Sequence, residues 1–312
     1  MSLMERMAGL KQDTFGLDIG YESIKLIQLK KSGSAFKLIA GGVSPSIHEP
    51  FLKERIKDKK GLSTVIKKAI SQHKITAKAV VSALPEIFVF TKIITMPKMS
   101  LQDLESAVPL DAASFIPFEP EQTSLDFSIV GEVKDKYEIL IVAAPKTLVE
   151  DYVELIASSG LTLSLLETKP IANIRALIPQ TKAETTLIVD FGTRTTSVTI
   201  CKGQNIRMTA TLSFGGQFFS KTVKTNDAVL ANLAKSILEN LKYYQGYREK
   251  NPITRILLSG GTALRPGLCN YIETKTSIRT EIGNPWQMVK NPPVKVSEPQ
   301  YTTAIGLAMK EI

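Results

Sequence analysis

Residues 14–29 read TFGLDIGYESIKLIQL, and residues 186–201 read TLIVDFGTRTTSVTIC. Each stretch contains an apolar run, an Asp-x-Gly turn at Asp18 or Asp190, and a second run of β-branched and apolar residues. A further turn follows at the same distance in both, at Gly33 and Gly203, before a third run. This order predicts a three-stranded meander at the start of each half of the chain. The repeat indicates a duplicated domain.

Helical and extended patterns follow each meander. Apolar residues at three- and four-residue spacing predict helices over residues 62–71, 147–159 and 228–244, and Gly160 is placed to end the second of these. Short apolar runs over residues 79–83 and 255–259 predict further strands. Strands that alternate with helices in this way indicate an α/β fold, with a largely mixed sheet covered by helices.

The segment from about residue 88 to 142 breaks the symmetry between the halves. Ser100 and Asp103 form a capping box for a helix that we expect Pro109 to kink or end. A strand pair is predicted over residues 125–130 and 137–142. We therefore divide the chain into an N-terminal tail (1–13), a first domain (14–178) that carries this insertion, and a second domain (179–312).

Composition excludes several classes of protein. Of 312 residues, 43% are hydrophobic and 22% are charged, as in ordinary globular domains. Two isolated cysteines predict neither a disulfide framework nor a zinc site. No apolar run approaches the ~20 residues of a membrane span, and residues 1–13 lack a signal-peptide core. The net charge of +9 suits an anionic ligand or surface, but the scarcity of aromatic residues among the basic ones argues against nucleic acid.

The turns themselves carry chemistry. An Asp-x-Gly turn between two strands offers backbone N–H groups to an anion and a carboxylate to a cation. A third loop, at Gly260 and Gly261, joins a predicted strand to a helix and lets a sugar or flat ring lie against the backbone. If the halves face each other, the three loops form one nucleotide cleft. The alternative is that all three are structural turns.

These motifs carry a resemblance. DIGYESIK (18–25), VDFGTRTTSV (189–198) and LSGGTALRPGL (258–268) resemble the two phosphate motifs and the adenosine motif of the actin and sugar-kinase superfamily. Within it, VVSALPEIFVFTKIITMP (80–97) and the FIPFEP segment (115–120) resemble the type IV pilus assembly protein PilM family, which is related to FtsA. FGGQF (214–218), NPW (284–286) and the final AIGLAMK (304–310) extend the resemblance across nearly the whole chain.

The resemblance implies an actin-like fold, that is, a duplicated RNase H-like fold with an FtsA-like insertion subdomain. It also implies a shortened second domain with a reduced adenine side. By motif matching, the implied nucleotide-binding residues are Asp18, Gly20, Ser23, Lys25, Asp190, Gly192, Thr193, Thr195, Gly215, Gly216, Gly260, Gly261 and Thr262. Asp18 and Asp190 would hold Mg²⁺ through water, with ATP as the cofactor.

The function implied by the resemblance is that of a cytoplasmic adaptor at the inner face of the cytoplasmic membrane. Its partner would be the cytoplasmic tail of a PilN-like inner-membrane protein, bound in a groove between the first half and the insertion. Other platform or motor proteins of a pilus, competence or type II secretion system are further candidates. An FtsA-like membrane-associated filament protein and a small-molecule kinase of the same superfamily remain alternatives.

Catalysis is expected to be slow at most. No residue set resembles a hydrolytic machine, and Glu167 is the one acid that the segment connecting the halves offers as a catalytic candidate. The sequence also departs from the family pattern. Tyr21 and Glu22 replace small polar residues after the first Asp-x-Gly, and Lys169 stands where a second carboxylate is expected. The short interval between Gly216 and the helix near Ala228 leaves little chain to cap an adenine, so we expect impaired nucleotide binding.

Overall fold

The computed structural model describes residues 13–219, 228–247, 252–292 and 298–311. The predicted tail therefore lies outside the described residues except for Asp13. The strands are β1 (Thr14–Ile19), β2 (Ser23–Ser32), β3 (Ala35–Pro45), β4 (Phe51–Leu52), β5 (Arg55–Ile56), β6 (Ala79–Leu84), β7 (Phe90–Pro97), β8 (Thr123–Val133), β9 (Lys136–Pro145), β10 (Thr162–Thr168), β11 (Thr185–Phe191), β12 (Thr196–Lys202), β13 (Asn205–Leu212), β14 (Ile253–Gly260), β15 (Thr280–Ile282) and β16 (Val289–Lys290). The helices are α1 (Lys59–Gln72), α2 (Leu101–Ala112), α3 (Lys146–Ser158), α4 (Lys169–Leu177), α5 (Ala228–Tyr247), α6 (Leu268–Thr276) and α7 (Thr302–Ala308).

Two large sheets repeat the same topology. The first has the order β10-β6-β1-β2-β3-β16, and the second has the order β13-β12-β11-β14-β15. In each sheet three antiparallel strands form the predicted meander, and the next two strands run parallel to its first strand. The expected meanders and the duplicated α/β fold are confirmed.

Register places the two Asp-x-Gly turns at equivalent positions. Asp18 lies opposite Lys25 at the end of β1, and Asp190 lies opposite Ser197 at the end of β11. Both strands are almost fully buried because helices cover both faces of each sheet, which explains their near-continuous apolar sequence. The shared position brings the two aspartates to the same edge of their sheets.

Helices bury the sheets from both sides. The first sheet packs against α1 and α3 through a core that includes Phe15, Ile66 and Tyr152. The second sheet packs against α5 and α6 through a core that includes Leu233 and Ile256. The helices predicted over residues 62–71, 147–159 and 228–244 are confirmed within a few residues at each end. Beyond α3, Gly160 adopts a φ of +74°, which favours glycine and ends the helix as expected.

The insertion is a small α/β unit with the strand order β7-β9-β8 and α2 packed on one face. The Ser100 hydroxyl accepts a hydrogen bond of 3.2 Å from the Asp103 N–H, so the predicted helix cap is present. Pro109 does not end α2, which continues to Ala112. Burial of Val108 and Ala112 against Ile139 and Ile141 offsets the hydrogen bond that the proline removes.

The C-terminal segment crosses from the second half to the first. β16 pairs with β3 in the first sheet, and α7 packs on β1 and α4. A Cβ at Gly306 would overlap the Ala172 carbonyl oxygen, so the backbones of α7 and α4 approach as closely as glycine allows. β16 and α7 therefore lie with the first sheet although they fall within residues 179–312, and the apolar residues of α7 pack against that sheet and α4.

None of the described helices combines the length and the apolar character that a membrane crossing requires.

Candidate functional site

A cavity of about 370 Å³ lies between the ends of the two sheets. Its walls come from the turn after β1, the turn after β11, the loop after β14 and the first residue of α4. This volume falls within the range of about 300–1,000 Å³ for small-molecule sites. The two halves thus face each other across a cleft, as the paired motifs predict.

The cavity collects most of the residues that the sequence proposed for nucleotide binding. The ones that line it are Asp18, Gly20, Ser23, Lys25, Asp190, Gly192, Thr193, Thr195, Gly216, Gly260, Gly261 and Thr262. Gly215 lies behind the lining, where a Cβ would press on the Thr195 N–H and the Gly192 carbonyl. Glu167 is also outside the lining.

The two Asp-x-Gly turns share a tight backbone. A Cβ at Gly20 would approach the Ser23 carbonyl oxygen to 2.9 Å, and one at Gly192 would approach the Thr195 carbonyl oxygen to 3.0 Å. In the first turn the Gly20 N–H donates to the Ser23 carbonyl at 3.0 Å. Glycine is needed in both turns because the chain folds back on itself within three residues.

The third loop forms one open wall of the cavity. Gly260 has a φ of +82°, and a Cβ there would overlap the Phe191 carbonyl. A Cβ at Gly261 would meet no atom of the described residues within 4 Å. Gly260 is therefore required by its backbone conformation, whereas Gly261 leaves its side of the loop open for a flat group to approach the backbone.

Asp18 is held by two lysines. The Lys169 Nζ lies 2.7 Å from Asp18 Oδ1, and the Lys25 Nζ lies 3.5 Å from Asp18 Oδ2. Lys25 also donates to the Ser23 hydroxyl at 2.9 Å. Burial raises the pKa of the Asp18 carboxyl, but the two ammonium groups outweigh it and leave that pKa lowered. Asp18 is therefore a buried carboxylate that is already neutralised by protein cations.

Two other carboxyl groups of the cavity have raised pKa values. Burial raises the pKa of Asp190, although Lys169 and hydrogen bonds from Ser259 and Asn173 oppose it. Burial likewise raises the pKa of Glu86 to about 8. Glu86 follows β6 and lines the cavity, and its Oε2 is buried without a hydrogen-bond partner among the described residues. At neutral pH, Glu86 is therefore mostly the protonated acid.

An ion pair bridges the mouth of the cleft. Arg194, in the turn after β11, donates to Glu49 at 2.7 Å. Its guanidinium also lies 4.5 Å from the centroid of the Tyr21 ring, in the turn after β1. One arginine of the second half thereby contacts two residues of the first half.

Glu167 has a different environment from the one expected of a catalytic acid. Both of its carboxylate oxygens accept hydrogen bonds from Arg175, at 2.6 and 2.8 Å. Arg175 also donates to the Gly306 carbonyl at 2.7 Å, at the crossing of α4 and α7. The geometry is that of a bidentate structural ion pair beside the helix crossing.

Sequence reasoning missed three cavity residues that carry charge: Glu86, Arg194 and Arg265. Arg265 donates to the Gly216 carbonyl at 3.2 Å. Arg194 lies within the VDFGTRTTSV motif and Arg265 within LSGGTALRPGL, so their position beside the loops was a usable signal. Glu86 lies within the VVSALPEIFVFTKIITMP stretch, which supported the family resemblance but did not indicate that this side chain reaches the cavity.

The cavity fits an anion better than it fits a divalent cation. Four basic side chains line it, those of Lys25, Lys169, Arg194 and Arg265, together with four acidic ones, those of Asp18, Glu22, Glu86 and Asp190. Two lysines neutralise Asp18, and burial raises the pKa of Glu86 and of Asp190. Among the described residues, no group of three or more His, Cys, Asp or Glu could hold a metal ion. Mg²⁺ requires oxygen ligands, and at Asp18 it would meet two ammonium groups. The residues suit the phosphates of ATP, but they do not suit the expected Mg²⁺ at Asp18.

A second cavity of about 480 Å³ borders the insertion. It lies between β7 and β13, which stand at the edges of their sheets as described, and Tyr243 and Tyr244 of α5 also line it. Glu138 of β9 and Arg207 of β13 also line it and form an ion pair in which both side chains are nearly buried. This ion pair attaches the insertion to the second half and leaves a groove along the two strand edges.

Comparisons with known proteins add a family and a fold. Residues 16–228 and 227–312 match the family described as Type IV pilus assembly protein PilM. The fold is similar to a chain of the "PilM-PilN type IV pilus biogenesis complex", with a TM-score of 0.84 and 22% identity over 96% of this chain and 98% of that one. The ethanolamine utilization protein EutJ from Carboxydothermus hydrogenoformans has a TM-score of 0.56 and 15% identity, over 94% and 88%. The cytoplasmic domain of EpsL, an inner-membrane component of the type II secretion system of Vibrio cholerae, has a TM-score of 0.52 and 11% identity, over 96% and 96%.

Proposed function

The chain belongs to the type IV pilus assembly protein PilM family, and from that premise we propose that it is an actin-like adaptor that binds the cytoplasmic tail of a PilN-like inner-membrane protein. The observation that carries the proposal is the family match over residues 16–228 and 227–312, which includes the insertion. The similar chain from a PilM-PilN complex supports the choice of partner.

We place the tail in the groove between β7 and β13. Both strands offer an open edge, so an extended peptide can form backbone hydrogen bonds with either one while its side chains enter the cavity. The sequence led us to expect a groove between the first half and the insertion, whereas this groove lies where the insertion meets the second half. The groove between β7 and β13 is favoured because it combines about 480 Å³ of space with two strand edges.

Calorimetric titration with a synthetic PilN-like tail peptide tests both the partner and the place. We expect Thr209→Arg, which fills the groove, and Tyr243→Ala, which removes an exposed ring from its rim, to weaken binding at least about tenfold. Leu110→Ser is the matched control, because Leu110 is 78% exposed on α2. Absence of peptide binding to the wild type would refute the adaptor function.

A further variant tests the expected location. Leu52 is exposed and adjoins Phe51, whose ring contacts Phe88 at the start of the insertion. Loss of peptide binding in Leu52→Asp, with the groove variants unaffected, would move the docking site to the side of the first half.

The proposed location is the cytoplasmic face of the inner membrane, reached through the partner. The net charge of +9 favours approach to an anionic membrane surface. Sedimentation with vesicles that carry the partner, compared with bare vesicles of the same lipids, tests this: recruitment should require the partner.

We also propose that the cleft binds ATP and that ATP modulates tail docking. The support is the clustering of both Asp-x-Gly turns, Gly261 and four basic side chains around one cavity. Because residues of both halves line that cavity, a bound nucleotide would bias the angle between the halves and, through the Glu138–Arg207 pair, the groove. The tail affinity should change when ATP is added, and an unchanged affinity with the cleft saturated would exclude the coupling.

A further inference from the structure

Lys169 places an ammonium group inside the cleft, against the aspartate of the first Asp-x-Gly turn. It is the first residue of α4, and its Nζ lies 2.7 Å from Asp18 Oδ1. Only 6% of the Asp18 side chain and 21% of the Lys169 side chain are exposed, so water screens the pair poorly. The Lys25 Nζ lies 3.5 Å from the other carboxylate oxygen, Asp18 Oδ2. Both oxygens of Asp18 therefore face ammonium groups.

Mg²⁺ does not fit beside this pair. The ion needs near-octahedral oxygen ligands at about 2.1 Å or an intact shell of bound water. Two ammonium groups next to Asp18 would repel it and would compete for the same oxygens. Burial alone would lower the pKa of Lys169. The charge interaction and hydrogen bond with Asp18 outweigh burial and raise that pKa above its ordinary value, so the group stays cationic.

Glu86 supplies a second feature that suits a metal-free anion site. It is 7% exposed, it lines the same cavity, and its Oε2 lacks a partner among the described residues. A protonated carboxyl group can donate a hydrogen bond, which a carboxylate cannot. Glu86 can thus donate a hydrogen bond to a phosphate oxygen rather than repel it.

We propose that the cleft binds the polyphosphate group of a nucleotide without a divalent metal ion, with the Lys169 ammonium group as a built-in cation in its place. This inference rests on the proposed nucleotide cleft and goes beyond it by excluding the metal. Lys169 contacts the phosphates directly and keeps Asp18 neutralised, while Lys25 and Glu86 complete the anion site.

The test is calorimetry of the full chain with ATP, once in excess EDTA and once in excess Mg²⁺. The wild type should bind ATP in EDTA with an affinity within about threefold of that in Mg²⁺. Inorganic tripolyphosphate and adenosine, titrated separately, distinguish the polyphosphate from the nucleoside: tripolyphosphate should bind in EDTA and adenosine should not.

Variants at residue 169 sharpen the test. Lys169→Gln should weaken ATP binding in EDTA by about tenfold or more, because a charge-assisted contact is lost. Mg²⁺ should then restore part of the affinity, since Asp18 becomes free to bind the hydrated ion. Lys169→Arg keeps the charge and should remain insensitive to Mg²⁺. Lys67→Gln, on the exposed face of α1, is the charge-matched control.

A second readout needs no nucleotide. Electron paramagnetic resonance of Mn²⁺ should detect no ion bound in the wild-type cleft and a bound ion in Lys169→Gln. Wild-type ATP affinity that rises about tenfold or more with Mg²⁺ would overturn the inference, as would failure of both ATP and tripolyphosphate to bind. Titration of the same preparation with the tail peptide keeps the two proposals apart, because peptide binding survives if only the cleft proposal is wrong.

Discussion

The turns after β1 and β11 are built alike and carry opposite electrostatics. Each has an aspartate at the strand end and a glycine pressed against a carbonyl three residues later. Asp18 faces two ammonium groups and has a lowered pKa, whereas Asp190 accepts hydrogen bonds from neutral side chains and has a raised one. Duplication therefore preserved the backbone of the site, while residues outside the turns set the charge of each copy.

The crossing of α7 and α4 at Gly306 gives the largest expected effect on stability. Gly306→Ala should lower the free energy of unfolding by about 3 kcal/mol or more, because the new methyl group overlaps the Ala172 carbonyl and separates α7 from α4. Urea denaturation measures the change. Gly246→Ala, near the end of α5, is the matched control: no atom of the described residues lies within 4 Å of its Cβ, so the change should not lower the free energy of unfolding. Equal effects of the two changes would contradict the close crossing.

The comparison of the two aspartates makes the next prediction. Asp18→Asn should lower the free energy of unfolding by about 2–3 kcal/mol at neutral pH, because it leaves the buried Lys169 ammonium group without its carboxylate. Asp190→Asn should change stability by less than about 1 kcal/mol, since it removes a carboxyl group that burial already disfavours as an anion. The two unfolding free energies, measured side by side, should differ in this order.

Two controls sharpen that result. Adding Lys169→Gln to Asp18→Asn should recover most of the loss, because both charges are then gone. The pKa of Asp18 is lowered from 3.8, so its contribution is present above that pH and is lost as the pH falls through its lower native pKa. The difference between wild type and Asp18→Asn should therefore shrink in acid. A pH-independent difference would exclude the ion pair as its cause.

Glu86→Gln extends the comparison to the third carboxyl group of the cavity. The pKa of Glu86 rises from 4.5 to about 8, so its stabilisation is complete below 4.5 and is lost as the pH rises towards 8. Glutamine does not ionise, so the free energy of unfolding of the variant should rise relative to that of the wild type over this pH range. At about 1.4 kcal/mol per pKa unit, even half of this shift gives about 2 kcal/mol. Unfolding curves at several pH values test it, and parallel pH profiles would contradict the raised pKa.

The smallest expected effect concerns the bridge across the cleft. Arg194→Ala should leave the unfolding free energy nearly unchanged, since Arg194 and Glu49 are both more than a third exposed. It should instead widen the cleft, seen as a larger distance between fluorescent labels on the two halves. High salt should widen the wild-type cleft similarly. Lys57→Ala is the matched control, because Lys57 binds Glu49 from within the same half. A cleft that Arg194→Ala leaves unchanged would show that the bridge does not hold it closed.

Much of the fold could be read from local patterns. The repeated Asp-x-Gly turns predicted both meanders, and helical spacing located α1, α3 and α5. The same motifs also identified most of the residues that line the cavity. Of the two outcomes expected of Pro109, an end to the helix was wrong, because packing of Val108 and Ala112 outweighs the local cost of proline in α2. The C-terminal crossing was missed, since nothing local indicates that α7 packs on a strand almost 300 residues earlier.

Local patterns were enough to predict the duplication, the two meanders and the three glycine-bearing loops, because these depend on residues close together in the chain. The charge of the cleft could not be predicted in the same way, because it depends on residues far apart in the chain. The sequence marked Lys169 as a departure from a pattern, but folding places it against Asp18, 151 residues away in the chain. Charge at a site depends on distance and burial, and both arise only when distant parts of the chain fold together.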